Sequence, residues 1–156
     1  MRAAVESFAE QGYDGTRVRH IAGRAGVSDA ALYRHYVSVE ALAQELFAHY
    51  FGDYAGRVAD SVSTGTTEQK LRAVVRTTLA YYREEPAATT FVLLRQHTFL
   101  PKLPAGTVYP LEIVERVVAA GQHRGELRAG QPNLLTGTRH DAVIENAALA
   151  ALWRDR

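Results

Sequence analysis

An all-α fold is predicted for this 156-residue chain, and three observations predict it. Apolar residues recur at three- and four-residue spacing along most of the chain. No segment shows the alternation of a half-buried strand. Glycines, prolines and capping residues stand where the helical pattern breaks. The breaks outline an N-terminal group of three short helices with a helix-turn-helix form, a long fourth helix that joins it to the rest, and a C-terminal helical bundle. The expected domains are residues 1–45 and 46–156.

In the first helix Ala4, Val5, Phe8 and Ala9 form one apolar face, and Gly12 with Tyr13 and Asp14-Gly15 ends it. Thr16 is positioned to cap a second helix whose apolar residues are Val18, Ile21 and Ala22. Gly26 is the turn: without a Cβ it adopts positive φ at little cost and lets a third helix leave the second steeply. Ser28 caps that third helix. Val27, Ala31 and Leu32 are expected to face inward, leaving Asp29, Ala30, Tyr33, Arg34 and His35 outside, with small Ala22 where the two helices cross.

Ser38 caps a fourth helix running from Val39 to about Val62, with a stripe through Leu42, Leu46, Phe47, Tyr50, Phe51, Tyr54 and Val58. Ser63-Thr64-Gly65 closes it. Thr66 and Gln69 have capping-box spacing at the start of a fifth helix carrying Leu71, Val74, Val75, Thr78, Leu79 and Tyr82. Pro86 suits the first turn of a sixth, with Phe91, Val92, Leu93, Leu94 and Phe99. Pro101 to Pro110 reads as loop, and a seventh helix from about Val108 to His123 passes through Leu111, Val114, Val117 and Val118 before Gly125 stops it. A last helical pattern, Pro132 to Trp153, is weakened at Thr136-Gly137-Thr138.

A hydrophobic fraction of 47% supports one sizeable core, or one core and a small satellite. A net charge of +1 excludes a coat protein that holds nucleic acid by bulk charge, so any DNA contact must be local. Over residues 1–39, Arg2, Arg17, Arg19, Arg24 and Arg34 face Glu6, Glu10, Asp14 and Asp29, again +1. With no cysteine, the chain has no disulfide, thiolate metal site or cysteine nucleophile, which fits a reducing compartment. The apolar C-terminal stretch is interrupted by Glu145 and Asn146, and no signal-peptide pattern opens the chain, so a soluble cytoplasmic location is expected. The six histidines, at 20, 35, 49, 97, 123 and 140, lack metal-ligand spacing. No metal or cofactor is implied, and no acid–base pair or nucleophile stands at a spacing that favours an enzyme.

The run TGTRVRHIAGRAGVSDAALYRHYVSVEAL carries more than helical patterning. From Phe8 to Leu46 the chain resembles the DNA-binding domain of the TetR family of transcriptional repressors, and GELR at 125–128 is similar to a segment of that family's larger domain. The resemblance implies an all-helical homodimer that binds a palindromic operator and leaves it when a small molecule enters the larger domain. It places the third helix in the major groove, with Asp29, Ala30 and Ala31 nearest the bases. Asp29 can accept from cytosine N4, or act only as a helix-dipole partner, and the alanine methyls suit thymine methyls. Tyr33 and His35 correspond to phosphate-holding positions, and Arg34 can reach a phosphate or guanine O6/N7. Arg17 and Arg19 match the DNA-facing start of the second helix, with solvated surface charge as the plain alternative. Thr16, Ser28 and Ser38 are caps that can also meet phosphates.

The sequence departs from the family at Val39, where a phosphate-gripping lysine is usual, and at Ala30, where a basic residue or glycine is common. Losing one phosphate charge lowers the salt slope by about one unit. The resemblance also implies a basic arm before the first helix and a further helix after Trp153, for which the sequence shows no residues; either the larger domain lacks its last helix here or the dimer is built differently. Candidates to line an effector cavity are Tyr54, Tyr82, Phe91, Gln96, His97, Tyr109, Asn146 and Trp153, each with ordinary core packing as the alternative. The function implied is a ligand-responsive regulator in which an effector between helices four and seven swings helix four. The alternative is a helical small-molecule-binding or adaptor protein with a vestigial DNA-reading head.

Overall fold

The computed structural model describes residues 1–131, which form seven α-helices: α1 Arg2–Gln11, α2 Val18–Ala25, α3 Asp29–His35, α4 Val39–Ser61, α5 Thr67–Glu84, α6 Pro86–Phe99 and α7 Pro110–His123, with a single 3-10 turn at Leu100–Lys102. Among the described residues there is no strand. The helical pattern at Pro132 to Trp153, with Asn146 and Trp153, lies outside the described residues. The chain divides into two compact units. The first is Met1–Tyr54 with Leu79–Thr107, and the second is Ala55–Thr78 with the described residues from Val108, so α4 and α5 each contribute to both.

The first unit is built on aromatic rings. Phe8 of α1 stacks on Phe91 of α6 with centroids 5.1 Å apart, and Phe47 of α4 meets Phe91 at 6.4 Å and Phe99 at 5.5 Å. Tyr13 closes the cluster edge-on to Phe99 at 5.7 Å. All but Tyr13 are buried, together with Val5, Ile21, Ala22, Leu42, Leu46 and Ala88. The Tyr81 hydroxyl is buried too, and donates to the Tyr50 carbonyl at 2.9 Å. Helix α6 therefore shares its core with α1 and α4.

The second unit has a smaller core of Leu71, Val117 and Val118, flanked by Val62, Val114 and Leu127. Its tightest approach is at Gly121 of α7, where a Cβ would come within 2.7 Å of the Thr67 side chain at the start of α5. Here the GELR segment forms a clasp. Glu126 accepts from the Thr67 backbone N–H at 3.1 Å and pairs with Arg124, whose guanidinium donates to the Thr67 hydroxyl at 2.8 Å. A carboxylate at a helix N-terminus satisfies an orphan donor and opposes the helix dipole. These hydrogen bonds, with Arg124 contributing most, hold the Glu126 carboxyl down at about 2.

Most helix ends fall where local chemistry demands. Gly12 and Gly26 have φ of 74° and 68°, and the Thr66–Gln69 capping box is reciprocal, at 2.9 and 3.3 Å. Several expected faces need correction. Ala9 is exposed, and the buried partner of Ala4, Val5 and Phe8 is Ser7, whose hydroxyl returns to the Ala3 carbonyl at 2.8 Å. Val27 is 45% exposed because it stands in the turn, ahead of the α3 cap, and so shares no helical face with Ala31 and Leu32. On α5 the stripe holds at Leu71, which is buried, and at Val74 and Thr78, which are half-buried. Val75, Leu79 and Tyr82 are exposed and Tyr81 is buried, since the helix turns its Tyr81 face inward toward the Tyr50 carbonyl.

Candidate nucleic-acid interface

Helix α3 is short, and its position depends on three contacts beyond its own backbone ladder. At its start the Ser28 hydroxyl accepts from the Ala31 N–H at 3.2 Å. Before it, Gly26 takes a left-handed conformation and lets the Val27 N–H reach the Ala22 carbonyl at 3.0 Å, which closes the turn from α2. At its end the Tyr36 hydroxyl donates to Glu45 of α4 at 3.2 Å. Partial burial and the nearby Glu45 charge raise the Tyr36 pKa, so the hydroxyl keeps its proton for this bond. Ala31 and Leu32 are half-buried beneath the helix.

The outer face is open. Asp29, Ala30, Arg34 and His35 are exposed, and Tyr33 is 55% exposed. Ser28 and Ser38 are also exposed, with Ser38 accepting from the Ala41 N–H at 3.0 Å as the cap of α4. Arg17 and Arg19 are exposed at the start of α2.

Thr16 requires correction. It is 6% exposed, and its hydroxyl donates back to the carbonyls of Gly12 at 2.7 Å and Ser7 at 3.2 Å, satisfying the end of α1. The N-cap of α2 is Arg17, whose backbone N–H donates to His20 Nδ1 at 3.2 Å. An arginine side chain has no acceptor, so only this returning half of a capping box exists. Thr16 is thus a buried anchor of the α1–α2 turn and has no hydroxyl free for a phosphate.

Ion pairing changes the electrostatics that the sequence suggested. Arg24 pairs with Glu6 at 3.3 Å and with Glu10, whose hydrogen bond chiefly raises the Arg24 pKa. Asp14 pairs with Arg95 of α6 at 2.9 Å. Three of the four acids that seemed to neutralise the head are therefore tied to Arg24 and Arg95. Among the described residues Arg17, Arg19 and Arg34 form no ion pair, which leaves three cations against Asp29 alone. A duplex presents a dense row of phosphates, and unpaired guanidinium groups are the groups that neutralise it.

Residues 1–46 match the family model described as bacterial regulatory proteins, tetR family. Over these residues, which hold α1 to α3 and the start of α4, the chain is similar to that family. The Bacillus subtilis fatty acid metabolism regulator protein is 27% identical to this chain over 133 residues, 82% of this chain and 69% of the relative. The transcriptional repressor KstR2 of Rhodococcus jostii is 35% identical over 75 residues, 47% of this chain and 37% of the relative. Among solved structures, the TetR-family regulator PfmR of Thermus thermophilus superposes with a TM-score of 0.76 at 20% identity, covering 96% of this chain and 92% of that one. A tetR-family protein from Rhodococcus gives 0.73 at 19% identity, covering 86% and 73%. At these identities the two structures establish the fold alone.

The described effector candidates differ in exposure. Phe91 is 3% exposed inside the aromatic core of the first unit, where it packs on Phe8, so its position is that of a core residue. Tyr82 is 52% exposed. Tyr54 is half-buried with its ring 5.2 Å from Tyr81. Gln96 is half-buried and His97 exposed on α6, while Tyr109 is half-buried just before α7. Among the described residues no cluster of His, Asp or Glu could hold a metal ion, and no helix is long and apolar enough to cross a membrane.

Two residues that touch the head carried no sequence signal. His20 stands beside the interface through its bond to Arg17, and a helix-start histidine without a glutamate or glutamine pattern gives no capping-box spelling. Arg95 lies 81 residues along the chain from its partner Asp14, a separation no local pattern reports.

Proposed function

We propose that this chain is a ligand-responsive DNA-binding transcriptional regulator, a repressor that a small molecule releases from its operator. One observation carries the reading: α3 holds Tyr33, Arg34 and His35 outside the fold, while Glu6, Glu10 and Asp14, three of the four acids in residues 1–39, are paired with Arg24 and Arg95. Asp29, Ala30 and Ala31 at the start of α3 read base edges, Arg34 reaches a phosphate or guanine, and Tyr33, His35, Ser28 and Ser38 hold the backbone. Arg17 and Arg19 grip phosphates from the start of α2. Two copies place their α3 helices in successive major grooves, about 34 Å apart, on a palindromic site.

The effector binds the part of the chain beyond the head and favours a state that does not fit the operator. Its differential affinity for the two states supplies the whole of the change. The Bacillus relative is named for fatty acid metabolism, which directs the effector search to acyl compounds. Val39 at the start of α4 favours the second reading, an adaptor with a vestigial head, because that position lacks the phosphate-binding charge.

A gel shift on the chain's own upstream DNA at two salt concentrations separates the two. The regulator reading expects sequence-selective binding that weakens steeply with salt. Binding that no sequence competes for, or none, supports the adaptor. Adding fatty acids and acyl thioesters to a positive shift then tests release.

A further inference from the structure

We propose that Arg95 of α6 is a positioning residue for DNA reading: it holds the α1–α2 turn, and through it the start of α2, in the geometry that presents Arg17 and Arg19. The proposal rests on the DNA-reading function above. The turn between Gly12 and Thr16 is gripped from two sides. From within, the Thr16 hydroxyl is buried against the carbonyls of Ser7 and Gly12. From outside, the Arg95 guanidinium donates to the Asp14 carboxylate at 2.9 Å and lies over the Tyr13 ring, 5.1 Å from its centroid.

A second anchor stands at the other end of the reading element. Lys102, in the 3-10 turn after α6, pairs with Glu40 in the first turn of α4 and lies 5.4 Å from the Phe99 ring centroid. Gln44 of α4 donates to the Lys102 carbonyl at 3.4 Å. The two anchors bracket the segment from α2 to α3, and both come from a part of the chain remote in sequence.

Fold stability does not explain the Arg95 contact well. The Asp14 side chain is 81% exposed and that of Arg95 29%, and such a pair contributes little to folding because water screens it. What the pair can do is remove freedom from a turn that ends one residue before Arg17. A loose turn must be ordered when phosphates are gripped, and that ordering is subtracted from affinity.

The test is a double-mutant cycle on Asp14→Asn, Arg95→Met and the two together, with Arg95→Lys as the conservative variant. Each is measured against the tightest duplex recovered from a random library. The proposal expects each single variant to bind about fivefold more weakly, the double to be no weaker than either single, and Arg95→Lys to recover part of the loss. It expects melting temperatures within about 2 °C of the parent. Without DNA, amide exchange is expected to quicken at residues 13–19 and stay unchanged in α4. Unchanged affinity, additive losses, or an affinity loss matched by a large fall in melting temperature would each overturn it. If the parent enriches no duplex, the DNA-reading function fails. Exchange at residues 13–19 then decides separately whether Arg95 holds the turn.

Discussion

Replacing Phe91 with alanine tests whether α6 is part of the core that carries the reading head. Phe91 is 3% exposed and packs on Phe8, Phe47 and Phe99 with centroids 5.1, 6.4 and 6.0 Å away. Truncating a ring in such a site loses its transfer energy and leaves a cavity that neighbouring rings fill only in part, at about 3–5 kcal/mol. For a chain of this size each kcal/mol lowers the melting temperature by about 2–4 °C, so a fall of roughly 6–20 °C is expected. Tyr82→Ala, at a residue 52% exposed, serves as the control and should change stability by less than about 0.5 kcal/mol. Circular dichroism melts of the two variants beside the parent give the answer. If Phe91→Ala melts within about 2 °C of the parent, or the two variants behave alike, the core described for this unit is wrong. A residue that lined an effector cavity instead would show altered ligand affinity with little change in melting.

Three further outcomes are expected. Gly52 and Gly56 lie inside α4 with open space where a Cβ would stand, so Gly52→Ala and Gly56→Ala should each stabilise by up to about 1 kcal/mol, read as a rise in melting temperature. Glu126 has its carboxyl lowered from 4.5 to about 2, so its contribution is complete at neutral pH and is lost as pH falls through that range. Glu126→Gln should therefore melt below the parent at pH 7, with the gap closing between about pH 4.5 and 2; a gap independent of pH would remove the charge from the clasp. Ser28→Ala removes the α3 cap and should cost about 1 kcal/mol, and operator affinity should fall with it; unaltered binding would mean that α3 needs no cap to read DNA.

Local signals placed the helices well, and for physical reasons. Gly26, Ser28, Ser38, Thr66 with Gln69, and Pro86 each act within four residues of themselves, so their effect is written where it operates. Burial was harder to read. Leu79 and Tyr82 continue the helical spacing of Leu71, yet Tyr81 is the inward residue, because α5 serves two compact units and its facing direction is set by distant neighbours. Phe91 reads as a cavity residue or as ordinary core, since aromatic spacing says a face is buried without saying against what. Thr16 has every property of a cap, and only the backbone path shows its hydroxyl turned toward α1. The charge count of the head missed its local field for the same reason: Asp14 is cancelled by Arg95, which no window of sequence brings near it.

The central claim, that α3 reads DNA through Tyr33, Arg34 and His35, is tested most directly by selecting duplexes from a random library with the parent and with a variant in which all three are alanine. Their exposure means that the variant should keep its fold, checked by its melt. The account predicts a palindromic motif enriched by the parent and lost by the variant. Recovery of the same motif by the variant at undiminished affinity, or of none by the parent, would contradict it.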